Sequence, residues 1–490
     1  MKKTALFSLL CCGLSMTALA DVTHYFSAIQ SDPQALYAFL RAMPKGGELH
    51  YHLAGGAYPE VMLNLAATKP YCLDTATQSV VTTGSCSAAL SSHNLALNTD
   101  LYQQYLRAWS LKDFHSGKET AEEHFFAAFF KFMPVVAENE AQMLVDVLQR
   151  ADTQNEQYME ILTIPDDAKS ASFGALLKDK ATDAEKLALL QKNEAFKANV
   201  QYTITQGHEI LRQTRSLLGC DKNPMAKGCG VEARFQYYIL RQLPDDEFFA
   251  MSVNAFEVAE QSPDFVGINL VQEEDVPAAL KPYKRQMQVL NFLQQHYPKV
   301  HISLHAGELS ARNVPPEDLR FHINDAVMIA HAERIGHGVD ITHEDKADEL
   351  VKTMAQRNIA VEVNLTSNAW LVGAKSTSHP LHYYLEHQVP IVLSTDDEGI
   401  LRTDLTQEYV KAVREQHLNY QDLKIMTRNV LTYSFLPGRS LWQDPRAFIR
   451  VDECRSYAAL SCQKFLAASE KARLQKQLED RLAQFEVRYS

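Results

Sequence analysis

Along the chain, short apolar runs rich in β-branched and aromatic residues alternate with longer stretches in which apolar positions recur at helical spacing. The short runs predict strands at 48–52, 157–163, 233–240, 265–270, 300–305, 333–337, 358–365 and 390–395. Strands separated by helical segments describe parallel β/α units, and eight of them are enough to close a barrel. Strand count alone also allows an open doubly wound sheet. No G-x-G-x-x-G follows an early strand, however, which disfavours a dinucleotide fold.

Two stretches exceed a minimal β/α unit. The first separates the first two strands and holds a Ser/Thr-rich run and the helical pattern HFFAAFFKFMPVV. The second follows Pro437 and carries Leu474, Leu478 and Leu482 four apart on one helical face. With no internal repeat and no interdomain linker, the pattern predicts one elaborated α/β domain over 21–440. It is a (β/α)8 TIM-type barrel with helical, disulfide-bearing insertions, the main one at about 66–125. Residues 441–490 form a C-terminal helical extension, whose leucine stripe packs on the barrel or on a partner; a homodimer would use the second arrangement.

The first twenty residues break this pattern. Two lysines precede an apolar stretch, and Ala18-Leu19-Ala20 precedes Asp21, the order of a cleaved secretory signal with its cut after Ala20. A membrane anchor is the alternative, but the run is shorter than the ~20 residues a spanning helix needs. The expected destination is the periplasm or the exterior, with no membrane attachment after cleavage. Cys11 and Cys12 leave with the leader. The remaining six cysteines fall as local couples: Cys72 with Cys86, Cys220 with Cys229, and Cys454 with Cys462. In an oxidising compartment such couples close; free thiols are the alternative. Loss of Lys2 and Lys3 with the leader takes the formal charge from −12 to −14. No basic block stands anywhere in the chain, so a nucleic-acid partner is disfavoured.

The candidate chemistry gathers at the ends of predicted strands. His50 and His52 end the first; side chains at i and i+2 share a face, so both imidazoles can reach one ion. The fifth ends in LHAGE with His305 and Glu308, the sixth in RIGHG with His337, and the eighth in STDDEG with Asp396 and Asp397. Each alone has an ordinary reading, including the two aspartates as a helix N-cap pair. Together they sit where β/α barrels build active sites. Imidazoles plus a carboxylate suit zinc, which activates water, with a nearby carboxylic acid to move protons.

The segments PKGGELHYHLAGG, SLHAGE, RIGHGV, VEVNLTSN and LSTDDEG occur in that order and spacing. Over about residues 43–435 they resemble the adenosine deaminase family of the amidohydrolase superfamily. The export signal and insertions are also similar to its extracellular growth-factor-related branch. The resemblance implies one zinc ion held by His50, His52, His305 and Asp396. Glu308 would protonate purine N1, His337 would orient the attacking hydroxide, and Asp397 would contact N7, so that adenosine, and 2'-deoxyadenosine, give inosine-type products and ammonia. This would be purine salvage outside the cytoplasm.

Two positions depart from the family pattern. Ala54 stands where an aspartate would contact the ribose, and Gln272 where a glycine would meet purine N3, bringing a bulky side chain to the pocket. Phe125 and Phe126 fall where the family has an apolar wall, or are plain helix core. Ala54 and Gln272 keep another substrate open: adenine, AMP or an N6-substituted adenosine. A non-catalytic nucleoside-binding or signalling protein is the alternative from a different class, and retention of Glu308, His337 and Asp397 argues against it.

Overall fold

The computed structural model describes residues 22–82 and 84–490; the leader expected over 1–20 lies outside them. Eight parallel strands form the centre: β1 Gly46–His52, β2 Glu156–Thr163, β3 Glu232–Leu240, β4 Phe265–Val271, β5 Ser303–Ala306, β6 Arg334–His337, β7 Ala360–Val363 and β8 Ile391–Leu393. β1 to β4 pair in sequence, as do β5 to β8. Isolated parallel bridges between Tyr51 and Asp396 and between Ile268 and Ile302 join the two halves into a closed barrel.

The strands run nearly where the apolar runs place them, but those of the second half are shorter than the expected 300–305, 358–365 and 390–395. Only the middle of each segment pairs regularly. Beyond it the backbone bonds irregularly to its neighbours, as when Ser394 N–H donates to Val363 O and Asp396 N–H to His50 O. The residues of interest therefore stand on, or just past, the C-terminal strand ends.

Alternation sorts each strand between two environments. In β1, Leu49 and Tyr51 face the surrounding helices, while Glu48, His50 and His52 face the barrel interior. The outward face of Leu49 meets the C-terminal extension. On helix Glu470–Arg488, Leu474, Leu478 and Leu482 are buried in one cluster with Leu49, Tyr158, Val392, Val430 and Leu431. The leucine stripe thus packs on the barrel itself. Gln157 Nε2 donates to Leu474 O at 2.8 Å, and Arg428 pairs with Glu479 at 2.6 Å, which fixes the helix in register.

The insertion after β1 is largely helical and carries the first disulfide, Cys72 to Cys86, on a small hairpin of Cys72–Asp74 with Ser79–Val81. That hairpin accepts hydrogen bonds from Trp109 Nε1 at Gln78 O (2.7 Å) and from Tyr105 Oη at Asp74 O (3.0 Å). Above it runs helix Ala121–Ala137, started by a Thr120–Glu123 capping box. Cys220 joins Cys229 and Cys454 joins Cys462, so all three local couples are closed. Among the described residues no helix is long and apolar enough to cross a membrane.

Two outcomes follow from this packing. Leu478→Ala should lower the unfolding free energy by about 2–5 kcal/mol, the range for a fully buried leucine, as read from denaturant midpoints; a loss below about 1 kcal/mol would contradict the packing. Mass spectrometry of the unreduced protein should find no alkylatable thiol among Cys72, Cys86, Cys220, Cys229, Cys454 and Cys462, and one labelled cysteine is enough to break the pairing scheme.

Candidate metal centre

At the C-terminal end of the barrel His50, His52, His305, His337 and Asp396 converge. His52 Nε2 lies 3.1 Å from Asp396 Oδ1 and 3.1 Å from His305 Nε2, and His50 Nε2 lies 3.3 Å from the same carboxylate oxygen. Two imidazole nitrogens facing each other at hydrogen-bond distance repel unless a proton or a cation lies between them. His50, His305, His337 and Asp396 each bring a ligand atom within 4.8 Å of the others, and His52 joins Asp396 and Asp397 in a second such group.

The opposite edges of the rings are already committed. His50 Nδ1–H donates to Glu362 Oε2 at 2.7 Å, His305 Nδ1–H to Asn269 Oδ1 at 2.9 Å, and His337 Nδ1–H to Asn368 Oδ1 at 2.9 Å. Since each acceptor is a carboxylate or amide oxygen, Nδ1 carries the proton and Nε2 presents its lone pair to the centre. His50 Nε2 and His337 Nε2 are buried with no hydrogen-bond partner among the described residues. Such orphaned acceptors, beside a buried carboxylate, fit a divalent transition metal with nitrogen and oxygen ligands.

The approach of these rings depends on local backbone. A Cβ on Gly336 would stand 2.6 Å from His50 Cε1, so only glycine admits the ring at that register. Gln272, His337 and Asp396 sit past β4, at the end of β6 and past β8 with φ of 84°, 67° and 65°. Left-handed conformations outside glycine cost of order 1–3 kcal/mol each and gather at functional sites.

Glu308 lies beside the imidazoles, with Oε1 3.4 Å from His337 Nδ1. Burial, and then the negative charges of Asp396, Glu274 and Glu122, raise its carboxyl well above the usual range, the direction a proton donor needs. Its main chain is anchored by Glu274, which accepts from Gly307 N–H at 3.2 Å and Glu308 N–H at 3.0 Å. Burial works against ionisation of Glu274, but Arg241 and His322 outweigh it and hold the group down at about 2. Asp397 is raised well above its ordinary value by burial and by adjacent Asp396. It makes no side-chain cap for the short helix Glu398–Leu401, so the N-cap reading of the aspartate pair fails for it.

The centre opens into a cavity of about 310 Å³. Its apolar wall is helix Ala121–Ala137: Phe125 is buried, Phe126 half-buried, and both line the space with Phe129, Phe130 and Met133. The two phenylalanines thus serve core and wall together. Gln272 also lines the cavity, but its Oε1 accepts the backbone N–H of Gln242 at 3.0 Å. The bulky side chain expected there thus lines the pocket, tethered to the segment after β3. Ala54 presents its methyl group to the same space.

Sequence reading missed the residues that hold the ligands: Glu362, Asn269, Asn368, Glu274 and Arg241. A faint signal existed in Glu362 and Asn269, polar positions inside otherwise apolar strands. Their partners could not be read off, because each contact joins different strands, 312 residues apart for Glu362 with His50 and 36 for Asn269 with His305.

Comparison with known proteins agrees with this geometry. A family model described as adenosine deaminase matches residues 110–441. The adenosine deaminase of Plasmodium knowlesi is 30% identical over 174 residues, 35% of this chain and 44% of that protein. That of Clostridium perfringens strain 13 is 24% identical over 290 residues, 56% and 82% of the two. For the first of these relatives, therefore, the match spans less than half of the relative's length. Among solved structures, an adenine deaminase from Arthrobacter aurescens aligns at TM-score 0.53 and 16% identity over 89% of this chain and 98% of that one. An N6-mAMP deaminase from arabidopsis aligns at 0.52 and 20% over 82% and 96%. A zinc-bound amidohydrolase from Burkholderia ambifaria aligns at 0.52 and 16% over 91% and 94%. At these identities the structural likeness is one of fold.

Glu362→Gln should weaken affinity for zinc about 10- to 100-fold while leaving circular dichroism unchanged, as read by competition with a chromophoric chelator. Undiminished affinity would remove Glu362 from the support of the centre.

Proposed function

The chain belongs to the adenosine deaminase family, and from that premise we propose that it hydrolyses the C6 amino group of adenosine and 2'-deoxyadenosine, releasing ammonia. The metal is one zinc ion, held by His50, His52, His305 and Asp396. The observation that carries this reading is the meeting, in one buried pocket, of inward-facing imidazole lone pairs and the Glu308 carboxyl, 3.4 Å from His337.

When bound, zinc supplies a water that ionises near neutral pH. The remaining steps belong to the chain. Glu308 gives its proton to N1 of the purine, which makes C6 electron-poor as the water oxygen adds there. His337, aimed by Asn368, offers Nε2 to the proton of the attacking water. Asp397, whose carboxyl burial and Asp396 push towards the protonated form, donates to N7 and steadies the ring. The C6–N bond then breaks: the amino nitrogen takes the proton that His337 accepted and leaves as ammonia, the proton of the new C6 hydroxyl returns to Glu308, and inosine remains. No bond to the protein forms at any stage.

The position of Ala54 favours one second reading, a deaminase acting on adenine or an N6-substituted AMP, the activities named for two of the structural neighbours. Export to the periplasm or exterior accords with the leader and with three closed cysteine couples, and salvage of extracellular purine nucleoside is the role that follows.

Purified protein should convert adenosine to inosine with one equivalent of ammonia. Glu308→Gln should lower kcat by about 10²- to 10⁴-fold, the range for a general acid, at unchanged metal content. Near-normal kcat in that variant would refute its role. Turnover of adenine or an AMP with none of adenosine would replace the substrate.

A further inference from the structure

Of the three left-handed residues at or just past the ends of β4, β6 and β8, the chemistry uses the side chains of His337 and Asp396. The third, Gln272 at φ 84°, has no part in it. Glycine holds such a φ freely, whereas glutamine is retained there only against the preference of its backbone. Such exceptions gather at functional sites.

The Gln272 side chain is oriented by its neighbours. Its Oε1 accepts the Gln242 N–H at 3.0 Å, and because a backbone N–H can only donate, the amide oxygen is the atom committed to Gln242. Nε2 donates to no described residue, and the half-buried side chain lines the cavity, so its two N–H groups are left for whatever occupies that space. The anchor is itself held. Gln242 follows the fully buried Arg241, which donates to His305 O at 2.7 Å and whose own carbonyl accepts from Gln286 Nε2 at 2.6 Å. Gln242 Nε2 donates in turn to Glu273 O at 3.3 Å. An amide is thereby offered to the pocket from a fixed point on its wall.

Position selects the part of the ligand that this amide meets. β4 adjoins β5 through the bridge between Ile268 and Ile302, and Glu274, two residues past Gln272, accepts the Glu308 N–H. β6, which ends in His337, pairs with the other side of β5. Gln272 and His337 therefore flank Glu308 from opposite sides. In the deaminase reading Glu308 meets purine N1 and His337 faces the water that adds at C6. The ring atom bonded to N1 on its other side is C2, so C2 and its substituent face Gln272. An amide N–H tolerates a C–H there. A 2-amino group would face it donor to donor, with both left unpaired.

We propose that the Gln272 carboxamide determines specificity at purine C2: it admits 6-aminopurines that carry hydrogen at that position and rejects those that carry a 2-amino group. This inference rests on the deaminase reading for which edge of the purine meets Glu308.

Steady-state kinetics with adenosine and 2-aminoadenosine test it in the wild type, Gln272→Gly and Gln272→Ala, with zinc content and melting temperature measured on each sample. Glycine suits the observed φ, so at least one variant keeps the fold. The wild type should favour adenosine by about 100-fold or more in kcat/KM. In both variants that preference should shrink by about tenfold or more because kcat/KM for 2-aminoadenosine rises, at unchanged zinc content. A tether that is only structural would lower both substrates together. Overturning results are a wild type that handles the two nucleosides within about fivefold, or variants whose preference stays within about twofold of the wild type's. If adenine or an AMP proves to be the substrate, the same comparison with its 2-amino counterpart decides. If the wild type turns over no purine, the functional reading fails, and calorimetry still decides the role of Gln272. Tighter binding of adenosine than of 2-aminoadenosine that Gln272→Gly abolishes supports it; equal wild-type affinities overturn it.

Discussion

The hydrogen bond from His50 to Glu362 is the contact on which the rest of the centre depends. A carboxylate at zero exposure inside a barrel is expensive unless it is paired. Here Glu362 Oε1 takes the Arg334 Nε–H at 2.5 Å and the Ser303 hydroxyl at 2.9 Å, leaving Oε2 for His50. Arg334 in turn reaches Glu160 at 2.6 Å and lies over the ring of Phe435. Burial alone would hold Glu362 protonated; Arg334 and His50 reverse this and keep it ionised at about 2. An ionised Glu362 fixes the His50 tautomer, and the His50 lone pair then points where the other ligands meet. The barrel floor thus carries a column of charge that ends in a metal position.

The insertion after β1 extends the same logic outward. Its disulfide-closed hairpin braces Tyr105 and Trp109, and Tyr71 Oη donates to Glu138 at 2.5 Å, immediately past helix Ala121–Ala137. That helix is the apolar wall of the pocket. Covalent closure of a surface loop therefore steadies the apolar wall of the pocket.

Much of this was legible in the sequence for a physical reason: in a strand the period is two, and a barrel has one functional end. His50 and His52 share a face by spacing alone, and four motif-bearing strand ends select that end. Strand limits were less legible, because regular pairing stops where left-handed residues such as His337 and Asp396 turn the chain. Gln272 illustrates a different limit. Its bulk was visible, but the partner that ties it back, Gln242 N–H, comes from the turn after β3. Glu362 and Asn269 escaped notice because a single polar residue in an apolar strand has many ordinary explanations, and only folding shows which histidine it serves; Glu274, in the polar run past β4, gave no sign of the backbone amides it holds. The stripe of Leu474, Leu478 and Leu482 announced a buried face without naming what covers it; Leu49 and Val430 answer that.

X-ray absorption at the zinc edge on the protein purified without added chelator addresses the centre itself. The account predicts a first shell of nitrogen and oxygen at about 2.0–2.2 Å, with the outer-shell scattering of several imidazoles and no sulfur. A shell containing thiolate near 2.3 Å, or a chain that retains no metal, would contradict it.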